Sequence, residues 1–366
     1  MRIGVEASYL LEPQKTGVEH YTASLTRALL ELESPHEFLL YLNRPPAAGE
    51  LESLLGRGRA EARVVPRRRF WLKLWLPRAA KRDGVEAMLF PGSIISTYHP
   101  FRCLPIIYDL CWAHYPHFYP RRERVIFSRV FPKSLSRAAG VIATSEQTKR
   151  DIAATYRYPE DRITVVLAGR DPVFQPVNDA PQTVKRKYGL DPGYIFAVGT
   201  SHPRKNIAGL LQACGQLLRR GRCPAVALAG TGEVEALREA VVGAGLKGRA
   251  QWLGYVKRED LPALFTACGA FVFPSFYEGF GLPVLEAMGC GAPVVCSRAG
   301  SLPEVAGEAA LLVDPADTAA LADAIERVLT DTRLANELST RGKDRVLLFN
   351  WKQSAKTALA AVEQLK

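Results

Sequence analysis

Short apolar runs separated by amphipathic stretches recur along this 366-residue chain, and that alternation allows few folds. A run of four to six apolar residues suits a strand buried on both faces, and strands spaced by helical stretches build parallel α/β sheets. In the first half the runs fall at 2–7, 38–41, 62–65, 87–90, 104–108, 140–143 and 164–167, with helices expected near 18–32, 121–137 and 146–155. Ser145 is placed to cap the last of these. The proline-bearing stretch 171–181 breaks the rhythm and reads as a connection between domains. A second series then follows, with strands at 194–198, 225–229, 250–253, 270–273, 293–296 and 310–313. Its helices are expected near 206–220, 233–244, 259–267, 283–289, 317–330, 334–348 and 351–365. The pattern predicts an α/β protein of two doubly wound, Rossmann-like domains, with ligands at the carboxyl ends of strands.

The length suits two domains of ordinary size. Apolar residues make up 48% and charged residues 23%, a globular balance, and no apolar run approaches the ~20 residues needed to span a bilayer. The first residues, MRIGVEASYL, read as a strand and lack the long apolar core of a signal peptide. The seven cysteines are odd in number and form no C-x-x-C pair, so buried, reduced thiols in a cytoplasmic protein are expected rather than a disulfide frame or zinc site.

The net charge of +11 is unevenly spread: residues 57–82 hold ten basic side chains against the single acid Glu61. Within them RRRFWLKLWLPR interleaves arginine and lysine with Phe70, Trp71, Leu72, Leu74, Trp75 and Leu76. That composition fits a segment lying on an anionic membrane surface. It also fits a helix whose apolar side packs on its own domain while the arginines face water. No recognised nucleic-acid motif accompanies the charge, and no nucleic-acid partner is expected.

The chemistry concentrates in FPSFYEGFGLPVLE (273–286), where two carboxylates, Glu278 and Glu286, flank a glycine-rich turn. Glu278 follows an apolar run, Gly279 and Gly281 let the backbone turn or approach a ligand, and Pro283 suits the first turn of a helix. Glu286 then sits about one turn into that helix, so both carboxylates are expected to face one crevice. Helix-start N–H groups attract phosphate and carboxylates accept hydrogen bonds from sugar hydroxyls, a combination suited to a sugar nucleotide. In isolation the spacing is common, and a loop charge plus a surface helix charge would explain it as well. The surrounding GFGLPVLEAMGCGAPVV favours the functional reading. The basic pair Arg204 and Lys205 in VGTSHPRKN follows a strand and opens a helix, where dipole and side-chain charge act together. GTGEVEA (230–236) fails as a dinucleotide fingerprint because Glu235 stands at the third glycine position.

These segments resemble the E-x7-E signature and the R-K-N segment of retaining glycosyltransferases of the GT-B type, family 4 (group 1). The resemblance is strongest over 194–315, looser over 1–170, and mannosyltransferase-like. It implies the GT-B architecture, two facing doubly wound Rossmann-like domains with a deep interdomain cleft: a first domain over 1–175, rejoined by a final helix at 351–366, and a nucleotide-sugar domain over 183–348. It further implies that Glu278 binds donor sugar hydroxyls, Glu286 the ribose hydroxyls, and Arg204 and Lys205 the diphosphate. Backbone at Phe280, Gly281 and Leu282 would contact sugar and phosphate, Tyr255 and Val256 the base, and backbone near Gly17 the donor phosphate and acceptor. His20 lies inside the helix, where a structural role competes. Where the family often has His-Asp this chain has Tyr108-Asp109, and tyrosine is a poor base near neutrality. Asp109 stays a candidate base or orienting group, with His114 and His117 as further candidates, although the departing phosphate can itself take the acceptor's proton.

The expected activity is therefore retaining, metal-independent glycosyl transfer from a nucleotide-diphosphate sugar, with no cofactor and no metal ligands; D-x-D is absent from the sequence. GDP-mannose is the first donor and a UDP-sugar the second. The acceptor would be a glycan or lipid-linked intermediate of cell-surface polysaccharide, met in the cytoplasm or at the inner membrane face. A sugar-nucleotide epimerase or phosphorylase of the same architecture, or a non-catalytic sugar-nucleotide-binding subunit, are the competing readings.

Overall fold

The computed structural model describes all residues except 13–14, 48, 51–59, 68, 96–98, 200–201, 233 and 366. Two compact units result, one formed by Met1–Gly169 with Asn350–Lys366 and the other by Arg170–Phe349.

In the first unit the described strands are β1 Arg2–Glu6, β2 Glu37–Leu42, β3 Ala60–Val64, β4 Ala87–Phe90, β5 Arg102–Ile107, β6 Val141–Ala143 and β7 Ile163–Val165. They pair in the order β3-β2-β1-β4-β5-β6-β7, parallel throughout. Central strands are buried on both faces: all four residues of β4 are buried, and Ile3 and Val5 of β1 pair with Phe38 and Leu40 of β2. Tyr41, Leu76, Met88, Phe90, Ile107 and Phe131 share one core.

The second unit repeats the plan with β8 Ile195–Val198, β9 Val226–Ala229, β10 Ala250–Gly254, β11 Ala270–Phe273, β12 Val294–Ser297 and β13 Ala310–Val313. Their order is β10-β9-β8-β11-β12-β13, again parallel. The strand order reverses between β1 and β4 in one sheet and between β8 and β11 in the other, which are the switch points where such sheets take ligands. Leu210 and Leu217 from the helix Ile207–Arg219 and Leu321 and Ile325 from Thr318–Thr330 cover this sheet.

Local chemistry fixes several boundaries. Ser145 Oγ accepts from Thr148 N at 3.0 Å and starts the helix Glu146–Tyr156; such caps contribute ~1 kcal/mol. Asn350 caps the final helix Trp351–Glu363 through Lys352 N at 2.8 Å. That helix packs on Gly17–Leu30, with Trp351 edge-on to Tyr21 at 5.3 Å and the Ser354 hydroxyl on Leu167 O at 2.6 Å.

Two expectations are corrected, and one open reading gains detail. The helix read over 121–137 is two pieces, Arg121–Arg129 and Phe131–Leu135, because Pro132 cannot continue the first. The stretch read as a connection packs on the second unit: Phe174 is buried edge-on against Phe265, and Pro181 lies in the first turn of a helix, Ala180–Tyr188. Within 57–82, of which 57–59 and 68 fall outside the described residues, Trp71 turns into the core and its indole N–H donates to Val65 O at 2.6 Å. Phe70, 54% exposed, and Leu72 and Leu74 face water with Arg67, Arg69 and Lys73.

All seven cysteines are buried and unbridged. Among the described residues no helix is long and apolar enough to cross a membrane.

Candidate active site

The second unit builds its site from the two loops at its switch point. After β8 the chain makes a 3-10 turn, Pro203–Lys205, and Asn206 follows with φ 53°. Asparagine tolerates that left-handed conformation better than most residues, and its amide here donates to Pro274 O at 3.2 Å and Pro315 O at 2.7 Å. Phe276 N donates to Arg204 O at 2.8 Å, so the loop after β8 is tied to the loop after β11. Arg204 and Lys205 therefore precede the helix Ile207–Arg219 rather than open it. Their placement comes from this stitching, not from helix-start geometry.

The stitching sets Lys205 Nζ 2.6 Å from Glu278 Oε1, with 13% and 9% of the two side chains exposed. The ammonium also lies 4.8 Å from the Phe273 ring centroid. Burial alone would push the Glu278 carboxyl up, but the charges of Lys205 and Arg204 and the hydrogen bond from Lys205 bring it below its ordinary value. Glu278 is thus an ionised acceptor. Its main chain is fixed too: Ser301 N and Ser301 Oγ both donate to Glu278 O at 3.0 Å. Gly300, at φ +58°, permits that approach, since a Cβ there would press on the Glu278 carbonyl and lie 2.8 Å from its nitrogen. Gly281, at φ +101°, precedes the helix Leu282–Gly289, and a side chain there would strike Leu302.

Glu286, the fifth residue of that helix, has a different cation. Arg258 Nη1 donates to Glu286 Oε1 at 3.1 Å and Arg258 Nη2 to Asp171 Oδ2 at 2.8 Å, while the guanidinium covers the Phe174 ring at 4.6 Å. Burial pushes the Glu286 carboxyl up to about 7 against the pull of Arg258, with nearby Asp171 adding to the rise. Glu278 is thus paired with Lys205, whereas Glu286 belongs to the Arg258 cluster. Phe280 is buried edge-on to Phe349 at 5.8 Å, and Leu282 begins the helix. Tyr255 is exposed and Val256 buried in the turn after β10. Arg258 escaped the sequence reading because it sits in the charged run Lys257-Arg258-Glu259-Asp260, where nothing distinguishes it from a solvated arginine.

In the first unit Gly17 is the first residue of the helix Gly17–Leu30 rather than part of a loop, and Thr16 N donates to Glu19 Oε2 at 2.8 Å to start it. His20 lies in the same helix. Asp109 Oδ1 accepts from Cys111 N at 2.9 Å, starting the turn Cys111–His114. The Tyr108 hydroxyl lies 3.0 Å from Thr22 Oγ1, and burial pushes its pKa well up, so it is no base. His114 pairs with Asp151 at 3.3 Å, and that hydrogen bond raises its pKa; His117 lies against Phe118. A residue the sequence did not single out is Glu6, at the carboxyl end of β1 and only 2% exposed. Burial raises its pKa against hydrogen bonds from the Ser8 amide and hydroxyl. Its alternation within an apolar strand was legible; its burial was not. Among the described residues no group of three or more His, Cys, Asp or Glu could hold a metal ion.

Two parallel sheets of this order are the plan of the GT-B glycosyltransferase fold, and a buried lysine–glutamate pair lies at one switch point. Solved structures align over the whole chain: sucrose-phosphate synthase from Thermosynechococcus elongatus (TM-score 0.79, 23% identity, 98% of that chain) and Anabaena HepE in complex with UDP and glucose (TM-score 0.78, 19% identity, 100% of that chain). The family model for glycosyl transferases group 1 matches residues 182–345, and that for glycosyltransferase family 4 matches 15–174. O-antigen chain mannosyltransferase B of Escherichia coli is 34% identical over 89% of this chain and 83% of its own length. The chain belongs to glycosyltransferase family 4, group 1.

Proposed function

We propose that this glycosyltransferase moves mannose from GDP-mannose, with retention of configuration and without a metal, to a glycan or lipid-linked acceptor of cell-surface polysaccharide at the cytoplasmic membrane face. The observation that carries the reading is the buried Lys205–Glu278 pair beside Arg204 at the switch point. An ammonium has three N–H donors, so Lys205 can hold Glu278 with one and a donor phosphate oxygen with another. Glu278, as an ionised acceptor, suits sugar hydroxyls. Glu286 suits the ribose hydroxyls, with Arg258 fixing its orientation. Tyr255 and Val256 suit the base, and backbone of Phe280, Gly281 and Leu282 the sugar and phosphate.

In the transfer the bond from the anomeric carbon to the phosphate oxygen breaks and the bond to the acceptor oxygen forms on the same face. Negative charge grows on the departing diphosphate, where Arg204 and Lys205 stabilise it. The acceptor's proton passes to that phosphate. Asp109, whose Oδ1 already accepts from Cys111 N, orients rather than takes the proton. Mannose is favoured because the relative matched over most of the chain is an O-antigen mannosyltransferase; a UDP-sugar is the second reading because HepE was solved with UDP and glucose. The exposed Phe70, Leu72 and Leu74 beside Arg67, Arg69 and Lys73 suit contact with anionic lipid.

Calorimetric titration with GDP, UDP and ADP, followed by radiolabelled transfer to a membrane extract, tests the reading. GDP should bind most tightly. Tighter UDP binding would transfer the assignment to a UDP-sugar, and binding of none of the three would remove it.

A further inference from the structure

The first unit carries a groove that none of the assigned residues uses. It has a volume of about 600 Å³ and is lined by Trp112, Pro116, Arg121, Arg124, Val125 and Phe127, among others. Its floor is fixed. Trp112 stacks on Phe127 with centroids 4.3 Å apart and planes 13° from parallel, and packs edge-on against the fully buried Phe131. The Trp112 indole N–H donates to the Tyr156 hydroxyl at 3.2 Å.

One side of the groove is the helix Arg121–Arg129, none of whose nine residues is buried. Val125 is 50% exposed and Ile126 also faces water. Arg121 and Arg124 are three residues apart and so lie on one face. Residues 121–137 carry six basic side chains against the single acid Glu123. An apolar floor with paired guanidiniums fits an amphiphile whose polar end is a phosphate, which arginine binds bidentately. The volume falls within the ~300–1,000 Å³ of sites for single small molecules, and a concave aromatic floor seats one chain where a bilayer would meet protruding side chains.

We propose that this groove binds the lipid end of a lipid-linked acceptor: an aliphatic chain lies along Trp112, Val125 and Phe127, and its diphosphate is held by Arg121 and Arg124. The inference rests on the proposed function and supplies the acceptor half of it.

The probes are farnesyl diphosphate, inorganic pyrophosphate, and vesicles of phosphatidylglycerol in phosphatidylcholine, titrated against the full chain with GDP binding measured in parallel. Farnesyl diphosphate should bind at least roughly tenfold more tightly than pyrophosphate. Arg121→Ser with Arg124→Ser, and separately Val125→Glu at its exposed position, should each weaken it by about tenfold or more while GDP binding is unchanged. Equal affinity for the two diphosphates would reduce the groove to a basic patch and overturn the proposal. Vesicle binding that responds to the variants without any farnesyl diphosphate binding would make it a bilayer contact, which also overturns it. GDP binding without farnesyl diphosphate binding sinks this inference alone; the reverse sinks the donor assignment alone.

Discussion

Lys205 and Glu278 are 73 positions apart in sequence and 2.6 Å apart in the structure, both mostly withdrawn from water. Neither charge has a reason to be buried without the other. The pair is held by a hydrogen-bonded seam between two loops, Phe276 N to Arg204 O and the Asn206 amide to Pro274 O. An ammonium and a carboxylate are thereby fixed before any ligand arrives, the preorganisation that the proposed electrostatic catalysis requires.

Removing one partner should separate stability from catalysis. Lys205→Ala leaves Glu278 buried and uncompensated, at a cost of ~3–5 kcal/mol, and should lower turnover ~10²–10³-fold. Lys205→Ala with Glu278→Gln should recover much of the stability in urea melts and none of the turnover. Recovery of both would show the pair to be structural only.

Under the proposed function, Glu286 should give donor binding a pH dependence. Its proton leaves at about 7 in the folded protein against an ordinary value of 4.5. The folded state holds the extra proton between those values, so this group's contribution to stability is present below 4.5 and lost as pH rises through 7. Glu286→Gln should therefore gain stability relative to the native chain between pH 4 and pH 8, by up to about 3 kcal/mol, while donor affinity falls. Native donor affinity should rise as Glu286 ionises near pH 7. Arg258→Ala should move that rise to higher pH, and Arg258→Lys should not restore it, because one ammonium cannot reproduce the fork that spans Glu286 and Asp171.

Gly300→Ala should be costly although it adds one methyl group. The new carbon would meet the Glu278 backbone from a left-handed residue, and a loss of about 2 kcal/mol would lower Tm by about 4–8 °C. Donor affinity should fall with it, since the same backbone carries the Glu278 carboxylate.

Transfer should continue in excess EDTA at a rate within about twofold of the untreated enzyme, because Arg204 and Lys205 are assigned the task of neutralising the diphosphate. Loss of activity restored by magnesium would contradict the assignment.

Replacing Arg67, Arg69 and Lys73 by Ser should weaken binding to phosphatidylglycerol vesicles by ~3 kcal/mol, at about 1 kcal/mol per basic residue near the surface. Sedimentation that ignores the change would make this ordinary surface.

Where sequence and structure agree, the reason is local. The apolar runs at 87–90 and 270–273 became β4 and β11 because a strand buried on both faces must be apolar throughout. Ser145 was legible as a cap because its partner, Thr148 N, lies three residues on. Long-range pairing was not legible. Nothing near Arg258 indicates that it bridges Asp171 and Glu286, and nothing near Trp71 indicates that it turns inward while Phe70 does not. In the basic segment alternate side chains answer to different neighbours: Trp71 packs in the core while Phe70, Leu72 and Leu74 are exposed.

The seven unbridged cysteines are distributed as a built-in set of reporters. Cys103 and Cys111 lie in one unit, and Cys214, Cys223, Cys268, Cys290 and Cys296 in the other. Burial pushes the Cys103, Cys268, Cys290 and Cys296 thiols up, so little thiolate exists for an alkylating reagent until the surrounding core opens. Mass-resolved alkylation in rising urea would therefore record the loosening of each sheet separately, on the native chain and without an added label.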